Sequence, residues 1–127
     1  MAGRIDDALA TATEALALCR ARDERGREAY ALRLLGEITA ARDPVDVQTA
    51  GDYYRQAIDL ARHLGMRPLM ADCHLGLGIL YRKMTPARAR REIEIAIDEY
   101  RAMGSTLWSN RAEIALQTLD HASTRES

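Results

Sequence analysis

The chain repeats itself at a step of 42 residues, and that recurrence constrains its fold more than any other feature. Ala8, Ala15, Leu18, Arg20, Arg25, Ala29, Leu35 and Gly36 reappear as Ala50, Ala57, Leu60, Arg62, Arg67, Ala71, Leu77 and Gly78. Roughly three or four such coincidences are expected by chance in a chain this rich in Ala, Leu and Arg. A period of this length belongs to arrays of stacked helices, in which each unit buries its apolar face only against its neighbours. It does not belong to a fold built around one catalytic centre.

With 127 residues, the chain is long enough for one domain with its own core, without disulfides or metals. Phe is absent and aromatics are scarce, so Leu, Ile and Ala are expected to build that core. A formal net charge of −1 supplies no field to draw the chain to nucleic acid or an anionic membrane. The N-terminal residues Met1 to Asp7 lack the apolar segment of a signal peptide, and the apolar run Cys73 to Tyr81 is far too short to span a bilayer. Cys19 and Cys73 define no disulfide framework, so a cytoplasmic location is expected.

Apolar residues recur at helical spacing almost throughout, and no segment alternates as a strand would. Six helices are predicted. The first, about Arg4 to Arg22, carries the stripe Ile5, Leu9, Ala12, Leu16 and Cys19; the second, about Arg25 to Ala41, carries Ala29, Leu32, Leu35, Gly36 and Ile38. Asp43-Pro44 reads as the start of a third, running to Leu64 with Gly65 as its stop. The fourth covers about Arg67 to Lys83. Thr85-Pro86 opens the fifth, which ends before Gly104. Ser105 or Thr106 opens the sixth, which is expected to fade after Leu119. Residues 1–122 are thus expected to form a single domain, and 123–127 a polar tail. The short linkers predict antiparallel neighbours.

His74-x2-Leu77-Gly78-x2-Tyr81 followed by Ala89-x3-Ile93-x2-Ala96 resembles the tetratricopeptide repeat. Leu32-x2-Leu35-Gly36-x2-Thr39 followed by Ala50-x3-Tyr54-x2-Ala57 is a second copy, and Ala8-x3-Ala12-x2-Ala15 matches the latter half of another. The steps of 42 and 39 residues exceed the family's usual 34 or so, and the expected aromatic is replaced at Thr39. Such long repeats are similar to C-terminal arrays of bacterial cyclase and ATPase signalling proteins. The resemblance implies an all-α, right-handed stack of about six antiparallel helices that binds a protein or peptide segment. The first helix of each pair would line its concave face. Tyr30, Arg33 and Glu37 on the second helix, with Asp72, Leu75, Ile79 and Arg82 on the fourth, would then meet the ligand. They do not form the paired Lys and Asn set that clamps a C-terminal carboxylate.

The other features have plainer readings. Cys73 and His74 project about 100° apart on a helix and sit at no metal-ligand spacing with the other histidines, so both read as packing residues. Gly76-Leu77-Gly78 lacks the strand and third glycine of a dinucleotide loop. Glu92, Glu94, Asp98 and Glu99 read as a solvated face, and no nucleophile triad is suggested. Arg82, Lys83, Arg88, Arg90 and Arg91 form one dense basic patch, read as a solvated turn balanced by Glu92 and Glu94, or else as a dock for an acidic segment. No enzyme activity, metal or cofactor is expected.

Helix six carries Leu107, Trp108, Ile114, Leu116 and Leu119, which a following helix would ordinarily cover. This stripe predicts homodimerisation through helix six, aided by helix one. The alternative to peptide binding is a structural or self-associating segment of a larger signalling protein, with a small-molecule sensor as a weaker third reading.

Overall fold

A computed structural model describes residues 2–126, with side chains placed for 3–121. Its six helices are α1 (Ala2–Ala21), α2 (Arg25–Ala40), α3 (Val47–Leu64), α4 (Arg67–Tyr81), α5 (Pro86–Ala102) and α6 (Thr106–Glu126). No described residue lies in a strand. Each helix packs on the next, and α2 also reaches α4. No described helix is long and apolar enough to cross a membrane.

The sequence period reappears as a backbone period. At the end of α1, α3 and α5 the chain passes through one left-handed residue: Asp23 (φ 56°), Gly65 (φ 70°) and Gly104 (φ 71°). After each, the next N–H reaches back five residues to close the helix. Glu24 donates to the Cys19 carbonyl at 2.9 Å, Met66 to Ala61 at 2.8 Å, and Ser105 to Tyr100 at 2.8 Å. These junctions fall 42 and 39 residues apart, the spacing of the repeated Ala positions. Only glycine enters the left-handed region without a Cβ penalty, and Asp23 therefore holds its turn under strain. Asp23→Gly is expected to raise stability by about 0.5 to 1 kcal/mol, measured by urea unfolding; a loss would show that the Asp23 side chain has a role of its own.

Two helix ends differ from expectation. α3 begins at Val47, not at Asp43-Pro44, because Asp46 supplies the cap: its carboxylate accepts from the Thr49 N–H at 3.0 Å and the Thr49 hydroxyl at 2.7 Å. Those two bonds hold the Asp46 carboxyl below its usual range. α6 continues to Glu126, beyond the predicted fade at Leu119, since residues 120–126 contain neither Gly nor Pro to stop it. Ser127 and the side chains of 122–126, most of the expected tail, lie outside the described residues.

The core runs through all six helices. Ala50, Ala57, Ala89 and Ala96 are fully buried, which brings helix axes close, and Leu32, Leu35, Leu69, Leu77 and Ile93 fill the space between them. Each fully buried Leu or Ile side chain contributes about 1.5 to 3 kcal/mol. Tyr54, Tyr81 and Tyr100 are buried with them. In α1 only one edge is engaged: Ala12 and Leu16 are buried, whereas Ala8 and Ala15, repeat equivalents of the buried Ala50 and Ala57, are exposed.

The two Leu-Gly pairs act alike. A Cβ at Gly36 would stand 3.2 Å from the ring of Tyr54, and one at Gly78 would collide with Ile93 and lie 3.1 Å from the Ala89 carbonyl. Each glycine thus admits the bulky residue of the following helix. Gly78 is the point at which α4 approaches α5.

Candidate functional site

Six of the seven positions assigned to a ligand face converge on one open cleft of about 500 Å³. Arg33 and Glu37 enter it from α2, and Asp72, Leu75, Ile79 and Arg82 from α4 and its C-cap; Tyr30 lies outside its lining, exposed on α2. Val45 from the α2–α3 turn, Lys83, and Trp108 from α6 complete the rim, while Tyr54, Gly76 and Tyr100 belong to the floor. The sequence offers a reason for this convergence. In repeat register Arg33 corresponds to Leu75, and Glu37 to Ile79, so equivalent faces of α2 and α4 lie side by side.

Gly76 shapes the floor. A Cβ there would lie 2.7 Å from the Tyr54 ring and 2.9 Å from its hydroxyl, so the missing side chain leaves space for the phenol of α3 to reach the cleft between α2 and α4. That hydroxyl makes no hydrogen bond with described residues, and burial pushes its pKa well above the ordinary tyrosine value. It therefore presents a neutral O–H at neutral pH.

A polar cluster fixes one wall. Arg33 Nη1 donates to Asp72 Oδ2 at 3.0 Å, and the Tyr100 hydroxyl donates to Asp72 Oδ1 at 2.5 Å. Arg33 Nε lies 3.4 Å from Glu37 Oε1, an ion pair without hydrogen-bond alignment. Burial and the bond to Asp72 both raise the Tyr100 pKa, keeping it a donor. Asp72 thereby joins α2, α4 and α5. Arg33 and Asp72, expected as ligand contacts, are bonded to each other. Both carboxylates of the cleft are occupied, whereas Arg82 and Lys83 are exposed and make no ion pair with described residues.

Trp108 stacks on Tyr100, with centroids 6.1 Å apart and planes at 25°, and Arg111 sits 4.6 Å above its ring. The residues assigned to self-association separate here. Trp108 belongs to the cleft, Leu107 and Ile114 are exposed at 60% and 61%, and Leu116 is half-buried. Leu119 is in the core at 4% exposure, because it lies on the same face as Ser109 and Ala112, turned toward the interior. It is not part of an exposed stripe. Positions where α2 and α4 carry Leu32/His74, Gly36/Gly78 and Thr39/Tyr81 are Glu113, Gln117 and Asp120 in α6. Glu113 pairs with Arg101, and Asp120 with Arg90. The face that would receive another helix is therefore polar, and the exposed apolar residues lie on other faces of α6.

The remaining candidates resolve into structural pairs. His74 Nδ1 lies 2.7 Å from Glu92 Oε2, with both side chains mostly buried, so Glu92 ties α4 to α5 and does not balance the basic patch. Arg88 covers the Tyr81 ring at 4.4 Å, and the Tyr81 hydroxyl accepts from Arg55 Nη1 at 2.6 Å. The Cys73 thiol, pushed up to about 12 by burial, stays protonated and unreactive at neutral pH. Among the described residues, no three His, Cys, Asp or Glu side chains gather as metal ligands would. No family model matches the chain, and the comparison with curated proteins found no match.

Proposed function

We propose that the protein is a binding module of the tetratricopeptide-like type, a right-handed stack of antiparallel helices that holds a peptide or protein segment in its concave cleft. The observation that carries this reading is the convergence of Arg33, Glu37, Asp72, Leu75, Ile79 and Arg82 on one open cleft. The recurring junctions at Asp23, Gly65 and Gly104 and the lateral approach of α2 to α4 support the stack. The cleft has the character of a recognition surface, with apolar side chains beside a few fixed polar groups. Catalysis by the module itself has little support in its chemistry. Asp72 is held by two donors, Glu37 is paired, and the nearby Cys73 is a protonated thiol. A cytoplasmic setting, without nucleic acid or membrane as partner, is part of the same proposal.

The single tryptophan gives a direct test, because Trp108 borders the cleft. A peptide bound there is expected to change its fluorescence saturably, and Ile79→Asp, at an exposed position in the lining, should abolish the change without loss of helicity. Binding that is indifferent to Ile79→Asp would move the ligand elsewhere.

A second reading, self-association as part of a larger array, is favoured by Leu107 and Ile114, both exposed on α6, and by Leu18, 49% exposed on α1. Sedimentation velocity separates the two. A dimer that Ile114→Glu dissolves supports self-association, and a monomer leaves the cleft as the interaction surface.

A further inference from the structure

Resting on the reading of the cleft as a peptide site, we propose that its occupant is an acidic segment with an apolar anchor: one aliphatic or aromatic side chain flanked by Asp or Glu. The cleft's own charges point to this chemistry. Its acids are already committed, Asp72 to Arg33 and Tyr100, and Glu37 to Arg33. Its remaining cations, Arg82 and Lys83, stand where α4 ends, with no carboxylate partner among the described residues. A peptide cation would find only Glu37, half-exposed and already beside Arg33. A peptide carboxylate would find two free cations beside an apolar wall, and opposite charge arranged in this way selects the partner and its orientation.

The apolar half is equally specific in position. Leu75 and Ile79 lie on successive turns of α4, and Trp108 of α6 lines the same cleft, over a floor opened by Gly76. An anchor side chain entering there would bury against these three residues, above the Tyr54 ring. Ile79 and Trp108 are 43% and 41% exposed in the unliganded chain, so they have apolar surface to give up. Arg82 lies one turn beyond Ile79, which places the acidic contact next to the anchor in the occupant's sequence.

The test is selection of short random displayed peptides on the full chain, with the Ile79→Asp variant as counter-target. The expected winners carry an apolar residue adjacent to Asp or Glu and bind with Kd on the order of micromolar. Arg82→Glu with Lys83→Glu should weaken them by roughly tenfold or more, and replacing the peptide's acids by lysine should restore binding to that double variant. Circular dichroism checks that the variant, changed only at exposed positions, is folded. Winners rich in Lys or Arg that still require Ile79 would overturn the acidic assignment and leave the peptide site standing. Acidic winners indifferent to the charge reversal would also overturn it. No enrichment over the counter-target would remove the peptide site itself.

Discussion

Replacing Tyr54 with alanine is expected to cost about 3 to 5 kcal/mol, a large share of the 5 to 15 kcal/mol that holds a typical domain together. Tyr54 is 4% exposed and packs between two helices of which it is not part: its ring meets Gly36 of α2 on one side and Gly76 of α4 on another. Both glycines leave space shaped for that ring, and neither can fill a void with its own side chain. Truncation would thus leave a cavity whose walls are helix backbone, which relaxes poorly. Tyr54→Phe provides the control. The hydroxyl has no hydrogen-bond partner among the described residues, so removing it should leave the urea midpoint nearly unchanged. A loss below about 1 kcal/mol for the alanine variant would mean that α2 and α4 close over the gap. The same substitution should widen the cleft floor, coupling the core directly to the proposed site.

The helices were legible because the signals for them are local. Repeated Ala positions marked the faces that pack in α3 and α5, though not in α1, and Gly65 and Gly104 marked two of the three left-handed junctions. The third, at Asp23, was hidden because an aspartate occupies a conformation that ordinarily selects glycine. Only the 42-residue step, extended from Gly65 back to Asp23, could have exposed it. Asp43 is the stronger cap signal in the sequence because a proline follows it. Yet Asp46-x-x-Thr49 places a carboxylate three residues before an N–H it can accept from, and that is the bond the chain makes.

The candidate site was legible in position and less so in state. The resemblance to the tetratricopeptide repeat, with the 42-residue register, placed Arg33, Glu37, Leu75 and Ile79 on one face. Whether a charged residue there is free depends on what lies opposite, and this is long-range information. Arg33 meets Asp72 across 39 residues, and Asp72 meets Tyr100 across 28. No periodicity reports such pairs. The same limit applies to Glu92, read as solvated from its charged neighbours but set against His74 by the packing of α4 on α5. Leu119 differs for another reason: the apolar residues of α6 divide between two faces, and Leu107 and Ile114 point away from the face holding Ser109, Ala112 and Leu119.

Gly78→Leu is expected to destabilise by about 2 to 3 kcal/mol and lower the melting temperature by roughly 10 °C, because the new side chain has no direction in which to move. The first added carbon already collides with Ile93 Cγ1 and stands 3.1 Å from the Ala89 carbonyl. Ile93 is 1% exposed and Ala89 is fully buried, so α5 as a whole must retreat from α4. That retreat would also stretch the His74–Glu92 contact between the same helices. Gly26 makes the informative comparison. It lies in α2 with nothing within 4 Å of its added Cβ, so Gly26→Leu should be neutral or slightly stabilising through helix propensity alone. Thermal unfolding of the two variants side by side distinguishes a packing role from a backbone one. If both shift the midpoint equally, or if neither does, Gly78 is not the point at which α5 closes on α4.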